Sequence, residues 1–370
     1  MASEGPGAPT SIRSVRRLIR DLLAHEQATG RPRDVVVLAV DGLGYRVASD
    51  AWPDARLSCL RSVFPTSSAP GWLSSLTGQP VDQHGVPGAF FAVEPYGRPS
   101  SFLRMRDELT SPDLGTVFRD AAALGYLPIA LRGDLEHYPG RWRDLLLAGA
   151  HQLITPALFT RADGRPAELD PAELVRRLSQ DLAETLPGPS LRWCFLELDT
   201  HLHRHGHDGY ARQVLAELGA LAARLADAGV LVLAHSDHGI TATDQDDELA
   251  NRLAGFCTEH DCVLGGAGRV RWLHRMDPAR GLDLPDRLAD WLHDLPSVRV
   301  QAADELFRPG SLGRRRVGDA VLTATGRRFL VPPGYRYEHG SSTEDEVLTP
   351  LACWGTDLPA GWLPAPVEDA

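Results

Sequence analysis

The chain has 370 residues and a formal net charge of -11 at pH 7, with acidic side chains and arginines mixed along its length. This distribution presents no basic surface for a nucleic-acid polymer or an anionic membrane, so we expect neither partner. The sequence contains no lysine, which excludes a P-loop lysine, a pyridoxal Schiff base and a lysine nucleophile. Five scattered cysteines without a C-x-x-C pair predict a cytoplasmic protein with reduced thiols.

Length and changes of pattern predict one large domain with an insertion. Residues 1–11 are predicted to be a disordered lead, residues 12–358 a single folded domain, and residues 359–370 a flexible tail. Between 240 and 338 the predicted strands become shorter, which indicates an inserted subdomain that leaves and rejoins the main sheet. No apolar run reaches the roughly 18 residues of a membrane-spanning helix, and the sequence leaves the oligomeric state open.

The predicted elements alternate between helix and strand along the chain. A helix is predicted from 12 to 25, and the apolar run VVVLAV that follows predicts a buried strand ending at Asp41 and Gly42. Further strands of this kind are predicted at 127–131, 191–199 and 229–237. This alternation predicts an α/β fold with a doubly wound, mostly parallel central sheet, helices on both faces and a small inserted cap. Functional residues are then expected at the carboxyl ends of the strands.

Acidic and histidine residues recur where predicted strands end. The candidates are Asp41, Asp199, His203, Asp237, His238 and His339. A mixture of carboxylates and imidazoles favours zinc or manganese over calcium, which prefers oxygen ligands alone. Three of each would suffice for two divalent ions, an arrangement that stabilises the attacking and leaving oxygens of a phosphoryl displacement.

A hydroxyl group that could act as a nucleophile is predicted at a helix N-terminus. The segment FPTSSAPGW precedes a helix that is predicted to begin near Pro70 and to end before Gly78. Free backbone N–H groups and the helix dipole favour an anion at that end, so Ser68 could attack a bound phosphorus centre. The alternative interpretation is that Thr66, Ser67 and Ser68 are N-capping residues only.

The order of the motifs resembles a known family. The set VDG, FPTSSAP, LTG-x-P-x-x-x-HG, D-x-x-x-H-x-x-G, SDHG and a late HG is similar to the alkaline phosphatase superfamily, especially its type I phosphodiesterase/nucleotide pyrophosphatase branch. The resemblance extends from Val35 to about Gly355. In that branch the nucleophile lies two residues before a proline and nine before the Thr of TG, and Ser68 has this spacing to Pro70 and Thr77.

The resemblance implies a ligand set and a mechanism. It implies one metal ion held by Asp199, His203 and His339, and a second held by Asp41, Ser68, Asp237 and His238. Two divalent ions are therefore expected as cofactors, with Zn²⁺ as the first expectation and Mn²⁺ as the alternative. Hydrolysis would proceed through a covalent intermediate on Ser68, and the substrate would be a small phosphate ester or a nucleotide.

The sequence also departs from this branch near the nucleophile. Ala89 stands where an asparagine commonly contacts a phosphate oxygen, and Gly71-Trp72 replaces an asparagine and a histidine. Trp72, Phe90 and Arg132 are predicted to contact the substrate, although such aromatic residues could instead pack in the core or the cap. The remaining histidines of the DTHLHRHGH segment lack the family spacing and are expected outside the metal set.

Three functions are compatible with these motifs. The first is hydrolysis of phosphodiester or pyrophosphate bonds, with diesters preferred over monoesters because neither an arginine nor a third metal site is predicted beside Ser68. The second is a phosphomonoesterase or a phosphomutase-type phosphotransferase of the same superfamily. The third is a non-catalytic metal-binding relative, which the presence of the complete ligand set and of Ser68 disfavours.

Overall fold

We describe the protein from a computed structural model, for residues 10–106, 108–109, 111–161, 163–167, 169–183, 188–277, 283–355, 358–359 and 361–364. The strands in chain order are β1 (Thr10–Ser11), β2 (Val35–Val40), β3 (Arg56–Arg61), β4 (Phe90–Phe91), β5 (Ser100–Ser101), β6 (Leu127–Leu131), β7 (His151–Leu153), β8 (Ser190–Leu196), β9 (Leu231–His235), β10 (Thr241–Ala242), β11 (Asp244–Gln245), β12 (Cys262–Gly265), β13 (Val270–Arg275), β14 (Val298–Ala302), β15 (Ala320–Ala324), β16 (Arg328–Phe329), β17 (Tyr337–Glu338) and β18 (Leu348–Trp354).

The helices in chain order are α1 (Ser14–Ala28), α2 (Tyr45–Ala51), α3 (Ser68–Thr77), α4 (Val81–His84), α5 (Val117–Ala123), α6 (Arg141–Leu146), α7 (Pro171–Leu182), α8 (Asp199–His205), α9 (Gly209–Asp227), α10 (Asp247–His260), α11 (Leu284–Trp291), α12 (Ala303–Leu306), α13 (Leu312–Arg316) and α14 (Glu344–Val347). Short 3-10 helices span Phe102–Arg104 and Gly133–His137. Among the described helices, none combines the length and apolar character needed to cross a bilayer.

Several helices begin at side chains that cap their free backbone N–H groups. Thr116 accepts a hydrogen bond from the first turn of α5, Asp170 from α7, Asp208 from α9 and Asp246 from α10. In α7 the cap is followed directly by Pro171, whose fixed φ suits the first helical position. These residues define where the chain leaves a loop and enters a helix.

The central sheet has eight strands in the spatial order β1-β3-β18-β9-β2-β8-β6-β7. Neighbouring strands are parallel except that β18 runs antiparallel to both β3 and β9. Val40 is paired with Leu196, and Ala39 with His235, so β2, β8 and β9 end at the same edge of the sheet. The predicted α/β class with a mostly parallel central sheet is confirmed. The residues that follow these three strands must therefore lie close together.

Both faces of the central sheet are covered by helices, as predicted. Val35 and Val37 belong to an apolar cluster that includes residues of α1, α3 and α5. Val36 and Leu38 belong to a second cluster, with residues of α2, α7 and α9. Because successive side chains of a strand point to opposite faces, the continuous apolar run of β2 supplies both clusters.

A separate four-stranded antiparallel sheet lies within residues 240–338, where the sequence predicts an inserted subdomain. Its strand order is β12-β13-β15-β14, and it has its own apolar core with residues of α10 and α11. Arg269, just before β13, donates its backbone N–H to the carbonyl of His339 at 2.7 Å. The buried Arg269 side chain also lies 3.2 Å from the Glu346 carboxylate, which joins this sheet to the segment around His339.

Two segments near the chain ends differ from the prediction. Thr10–Ser11, inside the predicted disordered lead, pairs in parallel with β3, while residues 1–9 lie outside the described part of the chain. Trp362, inside the predicted flexible tail, is 7% exposed and donates from its indole N–H to the Leu18 carbonyl at 2.7 Å. The buried Trp362 ring thus belongs to the same apolar cluster as residues of α1. Residues 360 and 365–370 lie outside the described residues.

Candidate active site

All six predicted acidic and histidine ligands lie at the carboxyl edge of the central sheet. Asp41 directly follows β2, Asp199 begins α8 three residues after β8, and Asp237 and His238 follow β9. His339 arrives from another direction, directly after β17. The shared register of β2, β8 and β9 therefore explains why residues distant in sequence meet at one place.

The first of two adjacent groups contains Asp199, His203 and His339. The Asp199 Oδ2 atom is 3.0 Å from His203 Nε2 and 3.5 Å from His339 Nε2. Asp199 and His203 are four residues apart on α8, so both side chains project from the same side of the helix. A carboxylate and two imidazole nitrogens thus converge on one point.

The second group contains Asp41, Asp237 and His238, all fully buried. His238 Nε2 lies 3.4 Å from Asp41 Oδ1 and 3.3 Å from Asp237 Oδ2. The rings of His238 and His339 are stacked with their centroids 3.8 Å apart, so the two groups are adjacent. Candidate ligand atoms of Asp199, His238 and His339 also lie within 4.8 Å of one another.

The three site histidines are held in the same way. In each ring Nδ1 is hydrogen-bonded to a backbone carbonyl oxygen, and Nε2 points to the aspartate carboxylates of the site. The acceptors are the carbonyl oxygens of Tyr337 for His203, Gly239 for His238 and Thr66 for His339, at 2.9, 3.0 and 2.8 Å. A ring that donates from Nδ1–H keeps a lone pair on Nε2, which is how metal-binding histidines are commonly oriented.

The aspartate carboxylates of the site have fewer hydrogen-bond partners than their buried oxygens require. Asp199 Oδ1 and Asp237 Oδ2 are buried and have no hydrogen-bond partner within the described residues. Burial, then the charge of Asp199, raises the pKa of Asp41 to about 7, and burial and the charge of Asp41 raise that of Asp237. Burial also opposes ionisation of Asp199, but His203 and His339 outweigh it and lower its pKa. This donor set fits divalent cations, which would satisfy both the unpaired oxygens and the repulsion between carboxylates.

Ser68 lies beside the second group. Its Oγ is 3.2 Å from Asp41 Oδ1 and 3.1 Å from His238 Nε2, and it is the first residue of α3. Neither neighbouring hydroxyl caps the helix: Ser67 makes no capping hydrogen bond, and Thr66 Oγ1 donates to the Ser341 carbonyl at 2.7 Å. Neither Thr66 nor Ser67 thus acts as the N-cap that the alternative interpretation requires, and Ser68 is the residue of the three whose hydroxyl lies beside Asp41 and His238.

Two glycines allow the site to close around these side chains. A Cβ atom on Gly71 would lie 2.9 Å from the Asp237 Cβ, and one on Gly42 would lie 2.8 Å from Asp199 Oδ1. Gly42 also has a φ of +81°, which disfavours other residues. The missing side chain at Gly71 thus lets α3 approach the segment that carries Asp237.

Trp72 is placed differently from the sequence prediction. Its side chain is 0% exposed and contacts Trp193 and Phe195 edge-on, so it packs in the core and does not line an open pocket. Its indole N–H donates to Asp41 Oδ2 at 3.1 Å. Trp72 therefore orients Asp41 from the interior and leaves Oδ1 directed towards Ser68.

Arg132 and Phe90 were also predicted to contact substrate. Arg132 follows β6 but donates from Nη2 to Glu136 Oε2 at 2.8 Å, and Arg143 approaches the same carboxylate at 3.7 Å. The Arg132 charge is thus partly neutralised by a neighbour four residues away, and its contact with substrate remains a prediction. Phe90 lies in the β4–β5 hairpin and is 46% exposed, so its contact with substrate remains a prediction.

The other histidines of the DTHLHRHGH segment lie outside the metal-ligand groups among the described residues, as expected. His201 Nε2 is 3.0 Å from Asp208 Oδ1, and its ring stacks on that of His205 with centroids 4.7 Å apart. His207 is partly buried, and burial lowers its pKa to about 4. On α8, helical spacing explains the difference, because His203 is the histidine four residues after Asp199 and shares its face of the helix, whereas His207 lies beyond the end of α8.

Two acidic residues beside the site were not predicted from the sequence. Glu197 is buried two residues before Asp199 and accepts hydrogen bonds from the hydroxyls of Tyr138, Thr160 and Thr200, and burial, then the charge of Asp134, raises its pKa to about 8. Glu338 belongs to a third group of potential ligands with His203 and His339. The signal for both was their position within two residues of a predicted ligand.

Comparison with known proteins shows the fold but no detectable sequence family. No family model matches the chain, and no curated protein matches it in sequence. Among solved structures, murine ectonucleotide pyrophosphatase / phosphodiesterase 5 is similar with a TM-score of 0.61 and 16% identity, covering 88% of each chain. Its human counterpart has a TM-score of 0.60 and 14% identity, covering 86% of this chain and 87% of its own.

A second type of enzyme shares the same architecture. Phosphonoacetate hydrolase from Sinorhizobium meliloti 1021, in complex with phosphonoformate, has a TM-score of 0.62 and 17% identity, covering 88% of this chain and 91% of its own. The chain therefore has the alkaline-phosphatase-like α/β fold that these hydrolases share. The resemblance stated from the ordered motifs is confirmed at the level of the fold.

Proposed function

We propose that this chain is a metal-dependent hydrolase of phosphodiester or pyrophosphate bonds, with Ser68 as the nucleophile. The observation that carries the proposal is the position of Ser68 Oγ, 3.2 Å from Asp41 Oδ1 and 3.1 Å from His238 Nε2, at the first residue of α3. The substrate is a small phosphate ester or nucleotide. Two divalent ions, zinc or manganese, are the proposed cofactors.

The proposed site residues fall into two sets of metal ligands, and Ser68 of the second set is also the nucleophile. Asp199, His203 and His339 would hold one cation, and Asp41, Asp237, His238 and Ser68 the other. When bound, the two cations would supply Lewis-acid stabilisation of charge on the phosphorus oxygens and favour the ionised Ser68 hydroxyl. The Ser68 oxygen would form a bond to phosphorus while the bond to the leaving oxygen breaks. Water would then release the phosphoryl group from Ser68, and the α3 dipole favours the anion in both steps.

Two features support hydrolysis at phosphorus over a purely structural metal site. The solved structures with this fold include ectonucleotide pyrophosphatase / phosphodiesterase 5 in complex with AMP and phosphonoacetate hydrolase in complex with phosphonoacetate. The nucleophile candidate and the complete ligand set are both present in this chain. Together they disfavour the interpretation of a non-catalytic metal-binding relative.

The preference for diesters over monoesters is the first prediction. A monoester dianion needs an additional cation beside the nucleophile, and Arg132 is already paired with Glu136. We expect kcat/KM for bis(4-nitrophenyl) phosphate to exceed that for 4-nitrophenyl phosphate by at least about tenfold, roughly 1.4 kcal/mol of differential transition-state binding. The measurement is a panel of nitrophenyl esters and nucleotides with added zinc or manganese.

Metal removal gives the matching control for this panel. Chelation should abolish turnover of every substrate, and readdition of zinc or manganese should restore it, with close to two ions bound per chain by elemental analysis. A metal-free active protein would contradict the proposal. If the monoester were cleaved as well as the diester and Arg132→Ala selectively removed that activity, the phosphomonoesterase alternative would replace it.

A further inference from the structure

A strongly basic cleft lies next to the candidate metal centre. Its volume is about 730 Å³. The residues that line it are Arg161, Arg165, Pro166, Arg204, His205, Gly334 and Arg336. Four guanidinium groups and an imidazole thus face one space, and no carboxylate is among the lining residues. Like charges that line one cleft raise the local concentration of anions there.

Three separate segments of the chain contribute to the cleft. Arg161 and Arg165 come from the loop closed by the bridge between Thr160 and Pro166, and Arg204 comes from α8. Arg336 directly precedes β17. These segments come together only when the chain folds, so no local sequence motif predicts the cluster of arginines.

The cleft shares its wall with the first metal-ligand group. The backbone N–H of Arg336 donates to the carbonyl of His203 at 2.8 Å. The Tyr335 ring stacks on the His203 ring with centroids 4.3 Å apart, and the Arg204 guanidinium lies 5.5 Å from the centroid of the same tyrosine. The Tyr335 ring therefore separates the basic cleft from the first metal-ligand group, so one substrate could contact both.

The positive charges of the cleft are only partly compensated. Asp163 approaches Arg161 at 3.8 Å and Arg165 at 3.9 Å, on an exposed loop where such pairs are weak. Within the described residues, no ion pair involves Arg204 or Arg336, and the buried Nε of Arg204 has no hydrogen-bond partner. Guanidinium groups in this state are suited to bidentate contacts with phosphoryl oxygens.

We propose that this cleft is an anion subsite that binds a second, polyanionic phosphoryl portion of the substrate. The proposal rests on the proposed function and makes it more specific, because it favours phosphoanhydrides over esters that carry a single charge. Four guanidinium groups in a space of this size exceed what one carboxylate requires, whereas a di- or triphosphate chain offers several oxygens to each arginine.

Direct binding tests the subsite without reliance on turnover. The probe is imidodiphosphate, a pyrophosphate analogue with a P–N–P bridge, titrated calorimetrically into the metal-loaded protein. We expect the Arg165→Gln/Arg336→Gln variant to bind it at least about tenfold more weakly, because two of the four exposed or partly exposed cations that line the cleft are lost. Arg299→Gln, which removes an exposed arginine of β14, is the matched control and should bind within about twofold of the unaltered protein.

Kinetics then separate the subsite from the function itself. In the double variant we expect kcat/KM for ATP to fall at least about tenfold. The fold-loss of kcat/KM for bis(4-nitrophenyl) phosphate should be smaller than the fold-loss for ATP by a factor of at least about five. Equal losses for both substrates, or unchanged imidodiphosphate binding, would overturn the subsite while leaving phosphodiester hydrolysis in place. If the unaltered protein cleaves neither substrate, the proposed function fails, and the calorimetric comparison alone decides whether the cleft binds polyphosphate.

Discussion

Two hydroxyl groups two residues apart have distinct roles at the start of α3. Thr66 Oγ1 donates to the carbonyl of Ser341 at 2.7 Å and accepts from the N–H of Gly340 at 2.9 Å, so it holds the turn that follows His339. Ser68 instead faces Asp41 and the metal-ligand groups. One residue therefore positions a ligand loop, and the other is placed for chemistry.

Substitution of these two residues should separate stability from catalysis. Ser68→Ala should reduce kcat by at least about a thousandfold, with thermal stability and metal content close to those of the unaltered protein. Thr66→Ala should lower stability by about 1–2 kcal/mol, because two buried hydrogen bonds are lost, and should have a smaller effect on kcat. The measurements are steady-state kinetics and urea denaturation. The reverse ranking would place the attacking hydroxyl on Thr66.

Metal binding should distinguish histidines on the two sides of α8. His203→Ala should release metal from one position, because it removes one of the three protein ligands proposed there. His201→Ala should retain metal, since His201 is bonded to Asp208. Elemental analysis of both dialysed variants tests this. Metal loss from His201→Ala at the level of His203→Ala would mean that the ligand cluster is larger than proposed.

At the residue scale, the sequence predicted what strand ends and helix spacing determine. Asp41 was placed by local pattern, at the end of a continuous apolar run. His203 lies four residues after Asp199, and the spacing that the family resemblance implies selected it from the other histidines of its segment. The environments of Trp72 and Arg132 depend on which tertiary neighbour each meets, the Asp41 carboxylate or the Glu136 carboxylate. No local pattern contains that information, so the sequence could not predict that the Trp72 indole bonds Asp41 or that Arg132 pairs with Glu136.

At the scale of elements, the site depends on how closely α3 approaches the loop after β9. The nearest atoms to a Cβ on Gly71 would be the Asp237 Cβ at 2.9 Å and the Asp237 carbonyl oxygen at 3.2 Å. Neither can move without displacing a proposed metal ligand. Gly71 has no side chain that could react or bind metal, but it sets the distance between Ser68 and the ligand groups.

Gly71→Ala should impair both the fold and the site. We expect a loss of stability of about 1–3 kcal/mol from overpacking, and a fall in kcat because α3 moves away from Asp237. The control is Gly209→Ala at the first position of α9, where a Cβ has no heavy atom within 4 Å and alanine favours the helix. Thermal denaturation and kinetics are measured for both. An unchanged kcat in Gly71→Ala would show that the close approach is not required.

The elements themselves were predictable to different degrees. The helix near Pro70 and the strands that precede Asp41 and Asp199 follow from periodicity and from glycine stop signals. The direction of β18, antiparallel to both its neighbours, could not be predicted, because its apolar side chains satisfy either orientation. The pairing of Thr10–Ser11 with β3 was also missed, since two residues carry no periodic signal.

At the scale of the whole molecule, a buried neutral histidine makes stability depend on pH. His84 is fully buried, accepts from the Val86 N–H at its Nδ1 atom, and lies 3.0 Å from Ser74 Oγ through Nε2. Burial, then the charge of Arg316, lowers its pKa to about 3. Below its ordinary pKa of about 6.5, only the unfolded chain gains the proton, so the folded state loses stability as the pH falls towards 3.

This effect can be isolated by substitution. His84→Asn keeps an acceptor for the Val86 N–H but does not titrate, so it removes the pH-dependent contribution. We expect the free energy of unfolding of the unaltered protein to fall about 1 kcal/mol more than that of His84→Asn between pH 6 and pH 5. Urea denaturation at both pH values provides the comparison, which also cancels pH effects common to both proteins. Parallel curves would contradict the assignment.

The position of β18 has a consequence for the order in which the chain can fold. This strand, Leu348–Trp354, is the sole link in the described sheet between the β1-β3 pair and the five strands from β9 to β7. During synthesis, all seven other strands of this sheet leave the ribosome before the strand that joins them. Until then β3 and β9 each present an open edge, which is a site for pairing with other chains. Chains interrupted before Leu348 should therefore aggregate even though every proposed metal ligand has already been made.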